Sequence, residues 1–176
     1  NKSTCSFTIT VNDTELPSIT CPSNIIQAND LGLCSAVVNY TAPLGTDNCT
    51  GSATIQTLGL VSGAVYPKGL TTNTFKVTDA SGNTKTCSFT ITVNDTENPV
   101  INCPANISKF TDANTCSALV NYTTPVGTDN CPGQNTMQTT GYSSGSNFPL
   151  GTTINTFRVT DASGHSNSCS FTITVI

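Results

Sequence analysis

Residues 74–94 read TFKVTDASGNTKTCSFTITVN, and this stretch decides the fold class. Two runs rich in Phe, Val, Ile and Thr flank the turn signal ASGN, which is typical of a β-hairpin. In the second run Phe89, Ile91 and Val93 alternate with serine and threonine, so one face of the strand is apolar and the other polar. The pattern predicts two paired strands that turn one face toward a core.

The same stretch returns at residues 156–176 as TFRVTDASGHSNSCSFTITVI. Sliding the sequence by 82 positions, the distance from Cys87 to Cys169, brings the cysteines into register. The matching sets are Cys5 with Cys87 and Cys169, Cys21 with Cys103, Cys34 with Cys116, and Cys49 with Cys131. We therefore read residues 1–12 as the last strand of a preceding repeat, and residues 13–94 and 95–176 as two complete repeats. Because the chain starts and stops inside a periodic pattern, we expect it to come from a longer array.

The rest of each repeat consists of short apolar runs separated by turn residues, and no window carries a helical stripe. Several short strands in roughly 80 residues indicate an all-β fold, an antiparallel β-sandwich. Such a small domain has a thin core, and this chain contains no Trp. We expect disulfides to supply the stability that the core lacks.

The composition excludes several classes of function. Only 9% of the residues are charged, the net charge is −4, and six Lys and Arg form no basic patch, which excludes nucleic acid as a partner. No apolar run reaches the length of a membrane helix, so we expect no membrane insertion of this segment. Nine cysteines predict disulfides and an extracellular or cell-surface location. The single histidine, His165, has no nucleophile to pair with, so we expect no enzyme and no required cofactor.

Several motifs occur in the same order in both repeats: DTELPSITCP and DTENPVINCP, then YPKGLT and FPLGTT, then TFKVTDASGN and TFRVTDASGH, then CSFTITV. In these motifs the chain resembles the hyalin repeat, or HYR domain, an immunoglobulin-like module of extracellular adhesive proteins. The four-cysteine form with TDNC is similar to long HYR arrays on large surface proteins of Bacteroidota, including gliding-motility adhesins. The resemblance implies tandem immunoglobulin-like sandwiches with two disulfides each.

The disulfide pairing is open from the spacing alone, because four cysteines allow three connectivities. The resemblance implies one of them, since two-cysteine members of the family keep the counterparts of Cys21 and Cys87. The implied pairs are Cys21–Cys87, Cys34–Cys49, Cys103–Cys169 and Cys116–Cys131.

The ten acidic residues also fall into register pairs, and eight of them lie in the linkers and loops expected at the ends of the sandwiches. Hard oxygen ligands gathered at a linker suit Ca²⁺, so we expect calcium at the domain junctions. The candidate ligands are Asp13, Glu15, Asp47 and Asp79 in one set, and Asp95, Glu97, Asp129 and Asp161 in the other. The alternative is that the Asp residues form turns by accepting hydrogen bonds from nearby backbone amides.

Two functions of different classes fit these observations. In the first, the repeats are the stalk or fibre of an extracellular adhesin or filament, and their partners are adjacent repeats or other copies of the chain. In the second, each repeat binds a surface glycan or protein ligand, and Tyr66 and Phe148 would be candidate aromatics unless they lie in the core. Residues 5–11 add a further hypothesis, strand addition to a neighbouring subunit.

Overall fold

A computed structural model describes all 176 residues, which form twelve strands in two compact units. Unit 1 contains Asn1–Gln27 and Ser35–Asn94, and unit 2 contains Ala28–Cys34 and Asp95–Ile176. The segment Ala28–Cys34 therefore belongs to the first repeat by sequence but to unit 2 by its contacts. No helix in the structure is long and apolar enough to span a membrane.

The first repeat contributes six strands to two sheets. They are β1 (Ile25–Ala28), β2 (Ser35–Val37), β3 (Ala53–Leu58), β4 (Val65–Pro67), β5 (Gly69–Thr78) and β6 (Thr84–Asn94). One sheet has the order β1-β6-β5-β3, and the other contains β2 and β4. Strand β4 contains only three residues, and all three pair with β2.

The second repeat has the same arrangement. Its strands are β7 (Ile107–Lys109), β8 (Ser117–Val120), β9 (Asn135–Thr140), β10 (Ser146–Pro149), β11 (Gly151–Thr160) and β12 (Ser166–Val175). The sheets are β7-β12-β11-β9 and β10-β8. One pair differs from the expected antiparallel sandwich, because β12 pairs with β7 in parallel. The chain between these two strands forms β8 to β11, which lie in both sheets, so no tight hairpin forces β7 and β12 to be antiparallel.

The hairpin predicted from residues 74–94 is confirmed. Strand β5 pairs with β6 in antiparallel register from Gly69 opposite Val93 to Thr78 opposite Thr84. The turn closes where the amide of Asp79 donates to the carbonyl of Asn83 at 3.1 Å. Gly82 has a φ of +92°, a conformation that a residue without a Cβ adopts without strain.

Apolar side chains from both sheets meet in the core of each unit, which makes each unit a sandwich. In unit 1, Ala36 and Tyr66 from the small sheet pack in one cluster with Phe75, Phe89 and Ile91 from the large sheet. The register equivalents in unit 2 form a cluster of the same kind. The alternation seen in the sequence therefore reports the buried face correctly.

A buried asparagine supports the core of unit 1. The side chain of Asn73 is fully buried, and its Oδ1 accepts from the amide of Leu60 at 2.9 Å and from Nε2 of Gln56 at 3.2 Å. Its Nδ2 donates to the hydroxyl of Tyr66 at 3.1 Å, and that hydroxyl donates to the carbonyl of Leu60. Every polar atom of this buried group has a partner.

The equivalent asparagine in unit 2 lacks one of these partners. Phe148 stands where unit 1 has Tyr66, and both side chains have 0% exposure. Asn155 Oδ1 still accepts from the amide of Tyr142 at 2.9 Å, but Asn155 Nδ2 is buried without a hydrogen-bond partner. The loss of one hydroxyl therefore leaves a buried donor unpaired.

Residues 1–12 form no strand in this structure, although their sequence matches the end of β6. Phe7, Ile9 and Val11 are 85%, 75% and 89% exposed, whereas Phe89, the counterpart of Phe7, is 2% exposed. A single strand has no ladder partner and no sheet face to cover, so the pattern alone does not fold it.

Candidate functional site

The acidic residues meet in three small groups, in each of which the potential ligand atoms lie within 4.8 Å of one another. The groups are Asp13, Asp47 and Cys49 in unit 1, and Asp95, Asp129 and Cys131 together with Asp95, Asp161 and His165 in unit 2. Glu15, Asp79 and Glu97 were predicted in the same sites and lie outside these groups. The structure therefore assembles part of each predicted set.

Asp79 and Asp161 act as turn-formers. Oδ1 of Asp79 accepts from the amides of Ser81 at 2.9 Å and Asn83 at 2.8 Å, and its Oδ2 accepts from Nδ2 of Asn83. Burial tends to raise the pKa of Asp79, but these hydrogen bonds outweigh it and the pKa lies below its ordinary value. The pKa of Asp161 is lowered in the same way, against burial, by His165 and the amide of Ser163.

The linker and loop carboxylates are only partly engaged. In unit 1, Asp13 Oδ1 accepts from the amide of Glu15 and Asp47 Oδ2 from the amide of Cys49, each at 3.0 Å. Their other oxygens, Asp13 Oδ2 and Asp47 Oδ1, are buried without a hydrogen-bond partner. Two neighbouring carboxylates in this state repel each other, so a cation between them would stabilise the pair.

Unit 2 contacts the segment Ala28–Cys34 through the backbone of the segment and through one of its side chains, which is buried. Asn29 is 9% exposed, and its Oδ1 accepts from the amide of Thr96 at 3.0 Å. Asn29 Nδ2 donates to Oε1 of Glu97 at 2.7 Å, and the amide of Gly32 donates to the same oxygen at 2.8 Å. The carbonyl of Leu33 accepts from Nδ2 of Asn130 at 2.9 Å.

This segment ends in a disulfide that corrects the expected pairing. Cys34 bonds Cys131, with their Cα atoms 4.8 Å apart, and Cys131 is 1% exposed. The expected bonds of Cys34 with Cys49 and of Cys116 with Cys131 are therefore wrong. The physical reason is that unit 2 holds the segment by hydrogen bonds to Asn29 and to Leu33, which places Cys34 at Cys131.

The other two disulfides are Cys21–Cys87 and Cys103–Cys169, each with 66 residues of separation and each packed against its core. These are the pairs that the resemblance implied. Three cysteines remain exposed thiols, Cys5, Cys49 and Cys116. The chain therefore holds three disulfides rather than two in each repeat.

Unit 1 has an open cavity at the place that corresponds to the binding site of the segment in unit 2. The cavity measures about 490 Å³, and its lining includes Asp13, Thr14, Glu15, Asn48, Cys49 and Ser81. Glu15 Oε2 accepts from Asn48 Nδ2 at 2.7 Å, so these two residues bond each other. A hydrogen bond to Asp13 and the charge of that carboxylate raise the pKa of the Cys49 thiol.

This arrangement disfavours nucleophilic catalysis at Cys49. A catalytic cysteine needs a lowered pKa, and the carboxylates around Cys49 have the opposite effect. A second cavity of about 490 Å³ in unit 2 is lined by Asn102–Pro104 and Thr123–Val126, and no ionisable side chain lies among these residues. Neither cavity brings a reactive thiol or hydroxyl together with a histidine.

Sequence reasoning missed Asn29, Gly32 and Asn130 as contact residues. Asn130 belongs to TDNC, a motif that both repeats contain, and this was the available signal. Asn29 and Gly32 carried none, because their counterparts in the second repeat are Thr111 and Asn114. Gly32 and Asn114 both adopt positive φ values, +73° and +61°, so the backbone of this segment is kept where the side chains change.

The sequence profile of the HYR domain matches residues 12–93 and 94–175, which cover nearly the whole chain in two tandem copies. The chain belongs to the HYR domain family. The two matched ranges begin 82 residues apart, which is the period that the cysteines define.

Two hyalins are similar to the chain over nearly its full length. Hyalin of Strongylocentrotus purpuratus is 37% identical over 96% of this chain, and hyalin of Lytechinus variegatus is 35% identical over 98%. The chain spans only 14% and 33% of the length of these relatives. A third relative is the Sushi, von Willebrand factor type A, EGF and pentraxin domain-containing protein 1 of Rattus norvegicus, with 30% identity over 93% of this chain and 4% of that protein. None of these relatives supports the expected resemblance to gliding-motility adhesins of Bacteroidota.

Solved structures of cadherin domains are similar at a lower level. A protocadherin gammaB7 structure matches with 15% identity and a TM-score of 0.40, over 92% of this chain and 52% of that chain. A human mucin-like protocadherin structure matches with 11% identity and a TM-score of 0.40, over 91% and 98%. Values at this level support no conclusion about the function of this chain.

Proposed function

We propose that these HYR repeats form a structural stalk or fibre in an extracellular adhesin or filament. The observation that carries the proposal is the Cys34–Cys131 disulfide, which joins the sequence of one repeat to the sequence of the next. An ordinary flexible linker between repeats would need no such bond. Three disulfides also support an extracellular location, where thiols are oxidised.

The placement of the aromatic residues favours a spacer over a glycan-binding module. Tyr66 and Phe148 have 0% exposure and belong to the cores, so they offer no platform to a sugar. Within the two complete repeats, the exposed aromatics Phe110 and Tyr142 correspond to Ala28 and Leu60 in the first repeat, so neither is a feature of both copies. A recognition surface repeated along an array would keep such side chains in every copy.

The proposal is tested by replacing the repeats in the full-length protein with an unrelated rigid spacer of equal length. A stalk predicts that surface attachment is retained, because only the length of the segment matters. In parallel, the 176-residue chain is applied to glycan arrays and to the surface to which the full-length protein attaches. Saturable binding of the chain, together with loss of attachment in the spacer variant, would support the ligand-binding function instead.

We further propose that calcium binds weakly at the acidic pairs Asp13/Asp47 and Asp95/Asp129. The support is the set of buried carboxylate oxygens without partners, Asp13 Oδ2, Asp47 Oδ1 and Asp129 Oδ1. Calcium takes six to eight oxygen ligands, so water would supply most of the coordination at a site with two carboxylates. Weak binding of this kind, with a Kd on the order of 10⁻⁴–10⁻³ M, is found in extracellular modules.

The calcium proposal is checked by thermal denaturation at 5 mM CaCl₂ and after chelation. At 5 mM calcium and a Kd of about 1 mM, binding stabilises a unit by about 1 kcal/mol, which is expected to raise its Tm by about 4–8 °C. The double variant Asp13→Asn with Asp95→Asn should abolish the shift. Equal Tm values with calcium and with chelator would count against the proposal.

A further inference from the structure

We propose that the cavity at Cys49 in unit 1 is the receptor for the cysteine-bearing segment of another copy of this repeat, which closes on Cys49 as a disulfide. By the same pattern, the segment Thr111–Cys116 of the second repeat is the donor for such a cavity in a further copy. A longer array would then carry one disulfide of the Cys34–Cys131 type for each pair of successive repeats. This inference rests on the proposed array function and names its partner.

The residues that hold the segment in unit 2 are all present around the cavity in unit 1. Thr96, Glu97, Asn130 and Cys131 correspond to Thr14, Glu15, Asn48 and Cys49, with no change of residue type at any of the four positions. The cavity thus has the hydrogen-bonding groups and the thiol that bind the segment Ala28–Cys34 in unit 2.

The hydrogen bonds of these residues differ between the two units. The difference is the one expected between a receptor that holds its segment and a receptor that is empty. In unit 2, Glu97 accepts from the segment and Asn130 donates to it. In unit 1, Glu15 and Asn48 bond each other at 2.7 Å. The two side chains would exchange this mutual bond for bonds to an incoming backbone.

The two equivalent cysteines differ in burial in the way that an occupied and an empty receptor would. Cys131 is 1% exposed beneath the segment, whereas Cys49 is an exposed thiol at the cavity. The register equivalent of Cys49 is thus bonded to a segment of this type in the same chain.

The donor segment of the second repeat keeps the backbone features that unit 2 recognises. Asn114 has a positive φ, as Gly32 does, so both residues have the left-handed backbone conformation. The carbonyl of Thr115 and the thiol of Cys116 follow in the positions of Leu33 and Cys34. Thr111 lacks the amide group of Asn29, so this donor would form fewer side-chain hydrogen bonds.

Bond formation requires an oxidant, which we take to be a small-molecule disulfide such as oxidised glutathione. One thiolate attacks this disulfide and releases one reduced glutathione, forming a mixed disulfide. The second cysteine then attacks the mixed disulfide, which releases another reduced glutathione and leaves the S–S bond between the repeats. Two S–H bonds are lost, and two electrons reduce one glutathione disulfide to two thiols.

The test uses the 176-residue chain and a synthetic peptide of residues 28–34, ANDLGLC, in a glutathione redox buffer. Peptide attachment at Cys5, Cys49 and Cys116 is quantified by mass spectrometry, and a scrambled peptide, LGANDLC, is the matched control. The receptor predicts about tenfold more attachment of ANDLGLC at Cys49 than at the other two thiols, from two hydrogen bonds of ordinary net strength. The scrambled peptide should show no preference.

The variant Glu15→Ala sharpens the test, because it keeps the thiol and removes the acceptor for the Gly32 amide. It is expected to reduce the preference for Cys49 to about threefold or less. Equal attachment of ANDLGLC at all three thiols, or an unchanged preference in Glu15→Ala, would overturn the inference. Saturable ligand binding by the chain would refute the stalk function without changing either of these results.

Discussion

The two repeats contain the same TDNC loop in two different states. In unit 2, Cys131 is buried in a disulfide, and Glu97 and Asn130 contact the segment Ala28–Cys34. In unit 1, Cys49 is an exposed thiol. Identical local sequences thus have different environments, because the partner of this loop comes from another repeat. The partner of the TDNC loop is therefore visible only when two copies of the repeat are considered together.

The largest expected effect comes from removing the disulfide that the TDNC loop forms in unit 2. The double variant Cys34→Ser with Cys131→Ser should lower the free energy of unfolding of unit 2 by about 2–4 kcal/mol, since the open chain gains entropy. The matched control is Cys49→Ser, which should change stability by less than about 0.5 kcal/mol because Cys49 forms no disulfide in this chain.

Urea denaturation, followed by a probe in each unit, measures both variants. Similar losses for the double variant and for Cys49→Ser would mean that the two loops are equivalent, and the comparison would fail.

The second effect concerns the buried asparagines. Tyr66→Phe should destabilise unit 1 by about 1–3 kcal/mol, because it leaves Asn73 Nδ2 unpaired as Asn155 Nδ2 is in unit 2. The reciprocal variant Phe148→Tyr should stabilise unit 2 by about 1 kcal/mol by giving Asn155 a partner. Thermal melts of both variants provide the measurement, and shifts of the same sign would contradict this explanation.

A smaller effect is expected at the equivalent glutamates. Glu97→Ala removes the acceptor of Asn29 Nδ2 and of the Gly32 amide, and should cost about 1–2 kcal/mol. Glu15→Ala removes only an exposed hydrogen bond from Asn48, and should cost less than about 0.5 kcal/mol. Denaturant titration distinguishes the two, and equal costs would show that the segment contributes nothing through Glu97.

The smallest difference between the units is expected in their response to acid. Asp79 and Asp161 both have pKa values below the ordinary one, so each stabilises its unit above the unfolded pKa of about 3.9. That stability is lost as pH falls through the lower pKa of the folded state. Both units should therefore weaken as pH falls below about 4, and Asp79→Asn should flatten this dependence in unit 1 alone. If unit 1 of the Asp79→Asn variant lost as much stability in acid as unit 1 of the unchanged protein, this result would contradict the turn-forming role of Asp79.

The fold was predictable to the extent that its signals are local. The alternation of Phe89, Ile91 and Val93 reports the buried face of β6, and the turn around Gly82 follows from residues within the hairpin. The family resemblance also implied the Cys21–Cys87 bond correctly.

The disulfide between Cys34 and Cys131 and the contacts around it were not predictable, because the residues involved are far apart in the sequence. Cys34 and Cys131 are separated by 97 residues, and Cys49 is much nearer to Cys34 along the chain. The choice between them depends on the hydrogen bonds of Asn29 and Leu33 in unit 2. Their partners Thr96 and Asn130 lie in motifs that both repeats contain, but neither motif indicates which segment it binds. The acidic residues were recognised, but their hydrogen bonds to nearby amides depend on backbone geometry that the sequence does not display.

The measurement that tests the central claim most directly is a disulfide map of the 176-residue chain. The protein is alkylated without reduction, digested at low pH to prevent exchange, and analysed by mass spectrometry. The structure predicts one cross-linked peptide pair that contains Cys34 and Cys131, with Cys49 and Cys116 alkylated. Peptide pairs that join Cys34 to Cys49 and Cys116 to Cys131 would contradict the linkage between repeats.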